Sequence, residues 1–299
     1  MSEWINQITG TPEGARVATM LALSAAFLHA LFGALQKGRH DPWISRAVID
    51  ICYGLIALPL ALFVVPWPEP ALWPVLFGAM VIHIAYKVAQ AQTYQRGAYT
   101  VVYPVVRGSG PLFAVIAAGL VFHEHFNLIQ WLGVLLLVGA IFGLAAYNLR
   151  HVTVGRDTLV PALCWAVVTG AFVALYTTYD AWGIRLSPDP FTFLAWFFLF
   201  DSLFMPLWTL PRLVRLRRDE IPALAVRGFI GALVAFASFG SIMLATRIDD
   251  VGRAAVLRET STVFAALVGW LVLREKVGPV RVALMALIAA GALIVEMAA

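Results

Sequence analysis

Charge is the scarcest commodity in this sequence. Asp, Glu, Lys and Arg together make up 13% of its 299 residues, about half the share of a soluble domain. Cysteine is almost missing too. The two present, Cys52 and Cys164, both sit in apolar runs and read as small packing residues, so neither a disulfide framework nor a metal site follows from them. The first fifteen residues hold Glu3 and Glu13 but no basic residue, unlike a cleaved signal peptide. No phosphate-binding loop, nucleophilic triad or metal constellation stands in a convincing context, so nothing in the residues implies an enzyme, a cofactor, a metal or an ATP-driven pump. The net charge of +4 is spread over short connections and calls for no nucleic-acid partner.

What is abundant is apolar sequence, at 61%. A water-soluble chain of this length cannot hide that much apolar surface in one core, so the lipid bilayer is the implied partner. Reading the chain for runs of roughly 20 mostly apolar residues predicts ten spans, at about 16–36, 44–65, 71–92, 98–122, 128–148, 158–182, 190–210, 221–245, 251–273 and 279–297. Breaks such as Pro66-Trp67-Pro68-Glu69-Pro70 and Ser187-Pro188-Asp189-Pro190 punctuate them.

The chain also repeats itself. Residues 107–124 (RGSGPLFAVIAAGLVFHE) align without a gap on 258–275 (RETSTVFAALVGWLVLRE), and six of eighteen positions match, including Arg107/Arg258 and Glu124/Glu275. Asp50 and Asp201 show the same offset of 151 residues. Two copies, 1–150 and 151–299, hold five spans each. Because five is odd, the second copy enters the membrane from the opposite side, as an inverted repeat. The expected fold is therefore an all-α membrane protein with ten transmembrane helices in a five-plus-five inverted repeat. Twelve basic residues (Lys37, Arg39, Arg46, Arg96, Arg150, Arg156, Arg212, Arg215, Arg217, Arg218, Arg274 and Lys276) lie in the connections of one side and three (Arg16, Arg185 and Arg247) in those of the other. The first set is expected in the cytoplasm and both termini outside.

Ionisable groups at membrane depth are costly and mark pathways or partners. In span three His83, Tyr86, Lys87, Gln90 and Tyr94 share one helical face. Either the stripe lines an aqueous cavity, or neighbouring helices engage it in buried contacts. In span four Tyr99, Tyr103 and Arg107 share a face, while Pro104, Gly108, Gly110 and Pro111 loosen the backbone. Helices broken at membrane depth present amides and half-helix ends to a polar solute. Arg258-Glu259-Thr260-Ser261-Thr262 is the corresponding patch in span nine. Its arginines suit a carboxylate; the alternative is an internal ion pair of Arg107 or Arg258 with Glu259. Trp165, Tyr176 and Tyr179 give span six an aromatic face, and Trp196 lies in span seven. Trp67, Trp73, Trp131 and Trp182 suit an interfacial belt. Spans five and ten carry almost no polar side chain and read as packing or lipid-facing helices. Glu124 and Glu275 are read as caps for the helix that follows each, His123 and His125 as loop residues, and Asp50 and Asp201 as structural partners of nearby donors.

Leu120-Val121-Phe122-His123-Glu124, followed by Gly133 and Gly139, resembles the signature of the drug/metabolite transporter superfamily in its EamA-type branch. The second copy has Glu275 and Gly291, with Leu284 in place of the middle glycine. Within that superfamily the chain is most similar to YddG-type exporters of aromatic and other amino acids. The resemblance implies export across the inner (plasma) membrane by alternating access, through a central cavity between two halves. Spans three, four, eight and nine would line it, with one and six contributing. His83, Tyr86, Lys87, Gln90, Tyr99, Tyr103, Arg107, Trp165, Tyr176, Arg258 and Glu259 would then meet the substrate. Pro104, Gly108, Gly110, Pro111 and Gly240 would be hinges. A metabolite or drug exporter, or a non-transporting receptor, stands as the alternative. Oligomeric state and energy coupling stay open; a monomer is compatible with the sequence, and so is a uniporter.

Overall fold

The computed structural model describes residues 1–36, 41–96, 99–150, 159–271 and 278–299. Lys37, Arg39, Arg156, Arg274, Glu275 and Lys276 lie outside the described residues, as do the side chains of Tyr94 and Tyr99. The elements are all helical: α1 (Ser2–Ile8), α2 (Pro12–Gln36), α3 (Pro42–Pro59) running into a π-helical turn (Leu60–Val64), α4 (Leu72–Arg96), α5 (Tyr99–Phe122), α6 (Leu128–Arg150), α7 (Leu159–Leu186), α8 (Pro190–Asp201), α9 (Phe204–Leu213), α10 (Ile221–Ile248), α11 (Val251–Arg258), α12 (Ser261–Leu271) and α13 (Pro279–Met297).

Nine stretches among the described residues are long and apolar enough to cross a bilayer, with α8 and α9 together forming one of them. The span expected at 251–273 is instead two short helices, α11 and α12. Span four departs in the other direction. Its prolines and glycines predict a loosened helix, yet α5 runs from Tyr99 to Phe122 with Pro104 and Pro111 inside it. Close packing explains this. A Cβ at Gly108 would lie 3.2 Å from Ile141, and one at Gly110 would lie 3.2 Å from Val173. Neighbouring helices pressed onto the glycines keep continuous a helix whose prolines lack the N–H donor.

The chain divides into two compact units, residues 1–81 with 181–248 and residues 82–180 with 249–299. Each draws helices from both sequence copies. In the first unit α2 packs on α10, and α3 packs on α8, α9 and α10. In the second α6 packs on α13, and α5 on α6 and α11. Mates in the repeat thus meet directly: span two on seven, four on nine, five on ten.

The second unit shows why spans five and ten need few polar groups. On α6 Leu128, Ile129, Leu132 and Leu135 are exposed, while Gly133, Leu137, Ile141 and Leu144 are buried. Gly133 and Gly291 let the two backbones touch: a Cβ on Gly133 would lie 2.8 Å from the Gly291 carbonyl oxygen, and one on Gly291 2.6 Å from that of Gly133. Small residues at a crossing are how lipid-embedded helices gain contact. The start of α6 is fixed by a reciprocal cap, in which Gln130 N–H donates to Asn127 Oδ1 at 2.9 Å and Asn127 N–H to Gln130 Oε1 at 2.8 Å.

In the first unit the matched carboxylates converge. Arg46 Nε lies 2.7 Å from Asp50 and its Nη2 3.9 Å from Asp201, while the Tyr53 hydroxyl donates to Asp201. Asp50 is fully buried and Tyr53 nearly so, which places both aspartates among structural donors, as the sequence suggests. Near one end of this unit Trp196 packs edge-on against Trp73 (ring centroids 4.9 Å apart) and against Trp67 at 5.0 Å. Here α1 is tied down as well, with Ser2 Oγ donating to the Asp189 carboxylate at 2.6 Å. Asp189 also caps α8, accepting from Phe191 N–H at 3.1 Å.

Candidate functional site

The second unit gathers most of the polar residues singled out in the sequence. α4 and α7 run antiparallel and meet along four rungs. His83 Nε2 lies 2.8 Å from Asp180 Oδ2. The Tyr86 ring packs edge-on against Tyr176, centroids 5.0 Å apart. The hydroxyls of Thr93 and Thr169 are 2.8 Å apart, and the Arg96 guanidinium lies 5.8 Å over the Trp165 ring. Gln90 Nε2 donates to Tyr86 Oη at 2.6 Å and steadies it within the stripe. Val81 and Val88 on the far face are exposed. His83 and Tyr86 are thus both engaged by a neighbouring helix. Lys87, between them and Gln90, is half-buried.

Span nine supplies the opposing group. At the join of α11 and α12 the backbone tightens to i→i−3 bonds: Glu259 N–H to Val256 O (3.0 Å), Thr260 N–H to Leu257 O (3.1 Å) and Thr262 N–H to Glu259 O (3.0 Å). That register releases the carbonyl of Arg258 from the helix. Arg107 takes it, with Nη2 3.3 Å from Arg258 O. The same guanidinium donates to Ser261 Oγ at 2.7 Å and pairs through Nε with Glu259 Oε2 at 2.8 Å. Arg107 and Glu259 are both buried, so the internal ion pair is formed, and Arg107 is its cationic member. Arg107 fastens the broken helix of its own repeat mate.

Arg258 differs. It is 6% exposed, and its Nε has no hydrogen-bond partner among the described residues. Its guanidinium lies 5.9 Å over the Tyr176 ring, a cation–π contact. Tyr176 also packs against the His83 imidazole, centroids 4.8 Å apart. One tyrosine thus joins α4, α7 and α11. Tyr103, half-buried on α5, lies within electrostatic reach of Arg107, Glu259, Arg258 and Tyr176.

Eight of the predicted contact residues (His83, Tyr86, Gln90, Tyr103, Arg107, Tyr176, Arg258 and Glu259) therefore meet through direct contacts or electrostatic reach. Trp165 sits further along the seam, against Arg96. Of the expected hinges, Pro104, Gly108, Gly110 and Pro111 lie in this unit on α5, and Gly240 lies on α10 in the other. Two residues went unread in the sequence. Asp180 follows Tyr176 by one helical turn and Thr169 follows Trp165 by one, so the polar face of α7 was visible as spacings of four.

Glu124 corrects another expectation. Its carboxylate reaches a helix far along the sequence rather than only the one that follows. It accepts from Val251 N–H at 2.7 Å and Gly252 N–H at 2.9 Å, the first turn of α11. His123 makes the reach possible by taking a left-handed backbone (φ 58) at the end of α5.

The EamA-like transporter family matches this sequence twice, over residues 16–146 and 160–297. The chain belongs to the EamA-like transporter family. Each matched segment covers five spans of the sequence reading, α2–α6 and α7–α13. Members of this family, in the drug/metabolite transporter superfamily, are membrane transporters, and this chain is accordingly a multi-pass membrane transporter of that type. A solved crystal structure of a protein matches with a TM-score of 0.71 at 18% identity, covering 94% of this chain and 99% of the other. At that identity the likeness establishes the fold alone. No curated protein sequence matches at a significant level.

Proposed function

We propose that this EamA-like transporter exports amino acids, aromatic and other amphipathic ones, from the cytoplasm by alternating access, in the manner of YddG-type exporters. One observation carries the reading. Arg258 is a buried guanidinium whose Nε finds no hydrogen-bond partner among the described residues, held against an aromatic ring. A buried cation with spare hydrogen-bonding capacity suits a carboxylate, and its tyrosine neighbours suit an apolar or aromatic side chain. Arg107 supports the site by fixing the join from which Arg258 projects. Lys87, Gln90 and Trp165 extend the contact surface along α4 and α7, and Tyr99 stays a candidate from the sequence reading alone.

The remaining features of the proposal follow from the five-plus-five reading of residues 1–150 and 151–299, with α11 and α12 counted as one interrupted span. An odd number of spans per copy gives the inverted repeat, and the excess of basic residues on one side sets both termini outside. The protein reconstituted in liposomes is expected to move labelled phenylalanine, tryptophan or threonine. Absence of flux for every amino acid refutes the substrate assignment, and a competition panel of nucleobases, sugars and cationic drugs then identifies the class that is moved.

A further inference from the structure

Five consecutive polar side chains, Arg258 to Thr262, stand at the join of α11 and α12, and all five are buried. Three of them are engaged within the protein. Glu259 pairs with Arg107, Thr260 Oγ1 donates to Leu257 O at 2.7 Å, and Ser261 Oγ accepts from Arg107 at 2.7 Å. Arg258 and Thr262 remain. The Nε of the first and the Oγ1 of the second lie buried with no hydrogen-bond partner among the described residues. Buried polar groups are rarely left so, and each such case calls for a cause.

The join itself is the cause for Thr262. A threonine within a helix ordinarily turns its hydroxyl back onto the carbonyl three or four residues earlier. Thr93 and Thr169 do this, donating to Ala89 O at 3.0 Å and Trp165 O at 2.7 Å. For Thr262 those carbonyls belong to Glu259 and Arg258. Glu259 O receives the N–H of Thr262 itself at 3.0 Å, and Arg258 O receives Arg107 Nη2 at 3.3 Å. Arg107 thus engages the acceptor that would otherwise serve the hydroxyl. Thr177 and Thr178 on α7 also carry buried hydroxyls without a partner, but Thr262 stands four residues from Arg258. Residues so spaced are neighbours on a helix, with Cβ atoms about 5–6 Å apart. A carboxylate placed there accepts from the guanidinium on one oxygen and from the hydroxyl on the other. An ammonium group is repelled by the same guanidinium, so the hydroxyl is left to an anion.

We propose that Thr262 is a specificity-determining residue of the transport site, donating together with Arg258 to the carboxylate of the substrate. The inference rests on the amino-acid reading above, and it adds the second donor to the carboxylate. Arg258 supplies the charge, and Thr262 supplies a neutral donor one turn away, so the two together fix where the carboxylate lies. The interrupted span then has a use. An unbroken helix would offer Arg258 O to the Thr262 hydroxyl, whereas the tightened join gives that carbonyl to Arg107 and keeps the hydroxyl for a solute.

Two measurements test it. In liposomes, Thr262→Val replaces the hydroxyl by a methyl of similar shape and should raise KM for phenylalanine about tenfold or more, with the maximal rate nearly unchanged. Thr262→Ser keeps the hydroxyl and should keep most of the affinity. Thr178→Val removes a comparable hydroxyl two residues past Tyr176 on α7, a spacing that does not share a helix face, and should leave KM as it is. An unmoved KM in Thr262→Val, or an equal rise in Thr178→Val, overturns the proposal. Melting curves in detergent separate this role from a structural one. Thr262→Val removes a buried hydroxyl that has no partner, so the ligand-free protein should melt no lower than the natural one; a clear fall makes the hydroxyl a structural group and overturns the proposal. Phenylalanine and phenylacetate, a carboxylate without an ammonium group, should each raise the melting temperature of the natural protein, and by less in Thr262→Val and Arg258→Gln. Equal stabilisation in all three proteins, or none in the natural one, overturns the carboxylate subsite. If no amino acid crosses the liposome membrane while phenylacetate still stabilises through these two residues, the amino-acid assignment has failed and the subsite stands.

Discussion

The two compact units treat their repeat-related charges in opposite ways. In the first, two carboxylates, Asp50 and Asp201, converge on one guanidinium, Arg46, with Tyr53 donating to Asp201. In the second, two guanidiniums, Arg107 and Arg258, lie around one carboxylate, Glu259. The repeat places a charged residue at equivalent points of both copies, and the packing of each unit brings the pair together. The first set spends its donors on its own carboxylates and holds α3 to α8. The second leaves Arg258 Nε without a hydrogen-bond partner among the described residues. Repeat-related charges therefore form a clasp in one unit and, in the other, include the guanidinium proposed to meet the substrate.

The sharpest way to break this comparison is to remove Arg107. Arg107→Gln leaves Glu259 buried without its cation, and the expected loss is about 3–5 kcal/mol of stability, seen as a large fall in melting temperature in detergent. Arg107→Gln combined with Glu259→Gln should recover most of it. If the double variant is as unstable as the single one, the join is not held by this pair. Next in size comes Arg258→Gln, which keeps the fold but removes the charge offered to a carboxylate. Amino-acid flux is expected to fall about 100-fold with little change in melting temperature. The opposite pattern, a stability loss with flux retained, would make Arg258 a second clasp and erase the contrast.

In the first unit the expectation reverses. Asp201→Asn weakens the Tyr53 and Arg46 contacts and should cost about 1–3 kcal/mol of stability while leaving the apparent KM for substrate unmoved. A shifted KM would bring the first unit into substrate binding. Gly291→Ala probes the framework beneath the second set. Its new methyl would meet Gly133 O at 2.6 Å and Leu137 N at 2.7 Å, both backbone atoms, so α6 and α13 must separate at a cost of about 1–3 kcal/mol. An unchanged melting curve would show that the crossing yields without loss.

How much of this was legible depends on whether a feature is local. Apolar runs and the 151-residue offset stand in the sequence itself, and they led to the helical membrane fold and to Arg107, Arg258, Asp50 and Asp201. The stripe on α4 was visible as well, but its partner was not. Periodicity shows which face of a helix is polar, whereas only packing shows that Asp180 stands opposite His83. The interruption of span nine was misplaced for a similar reason. Pro104, Gly108, Gly110 and Pro111 are strong local breakers, yet Ile141 and Val173 press against the glycines and α5 stays whole. Glu259-Thr260 is a weak local signal, and the chain tightens there where Arg107 collects the freed carbonyl and its neighbours. The reach of Glu124 to α11 likewise depends on a helix distant in sequence.

The smallest expected change falls on Gly240, and it separates structure from motion most cleanly. A Cβ built there meets nothing within 4 Å, so Gly240→Ala introduces no clash in the first unit. Within a helix, alanine is favoured over glycine by about 0.5–1 kcal/mol, because glycine loses more freedom on folding. Melting temperature should therefore rise slightly. If Gly240 serves as a hinge in α10, the same restriction slows the conformational step, and flux should fall two- to five-fold (roughly 0.4–1 kcal/mol on the barrier) while equilibrium binding of substrate stays constant. A protein that is both more stable and equally fast would assign Gly240 to packing space alone. Gly110→Ala gives the contrasting case in the second unit, since its methyl would press on Val173 at 3.2 Å. There stability should drop whether or not the residue bends, so only Gly240 can show a hinge without the confounding cost of a clash.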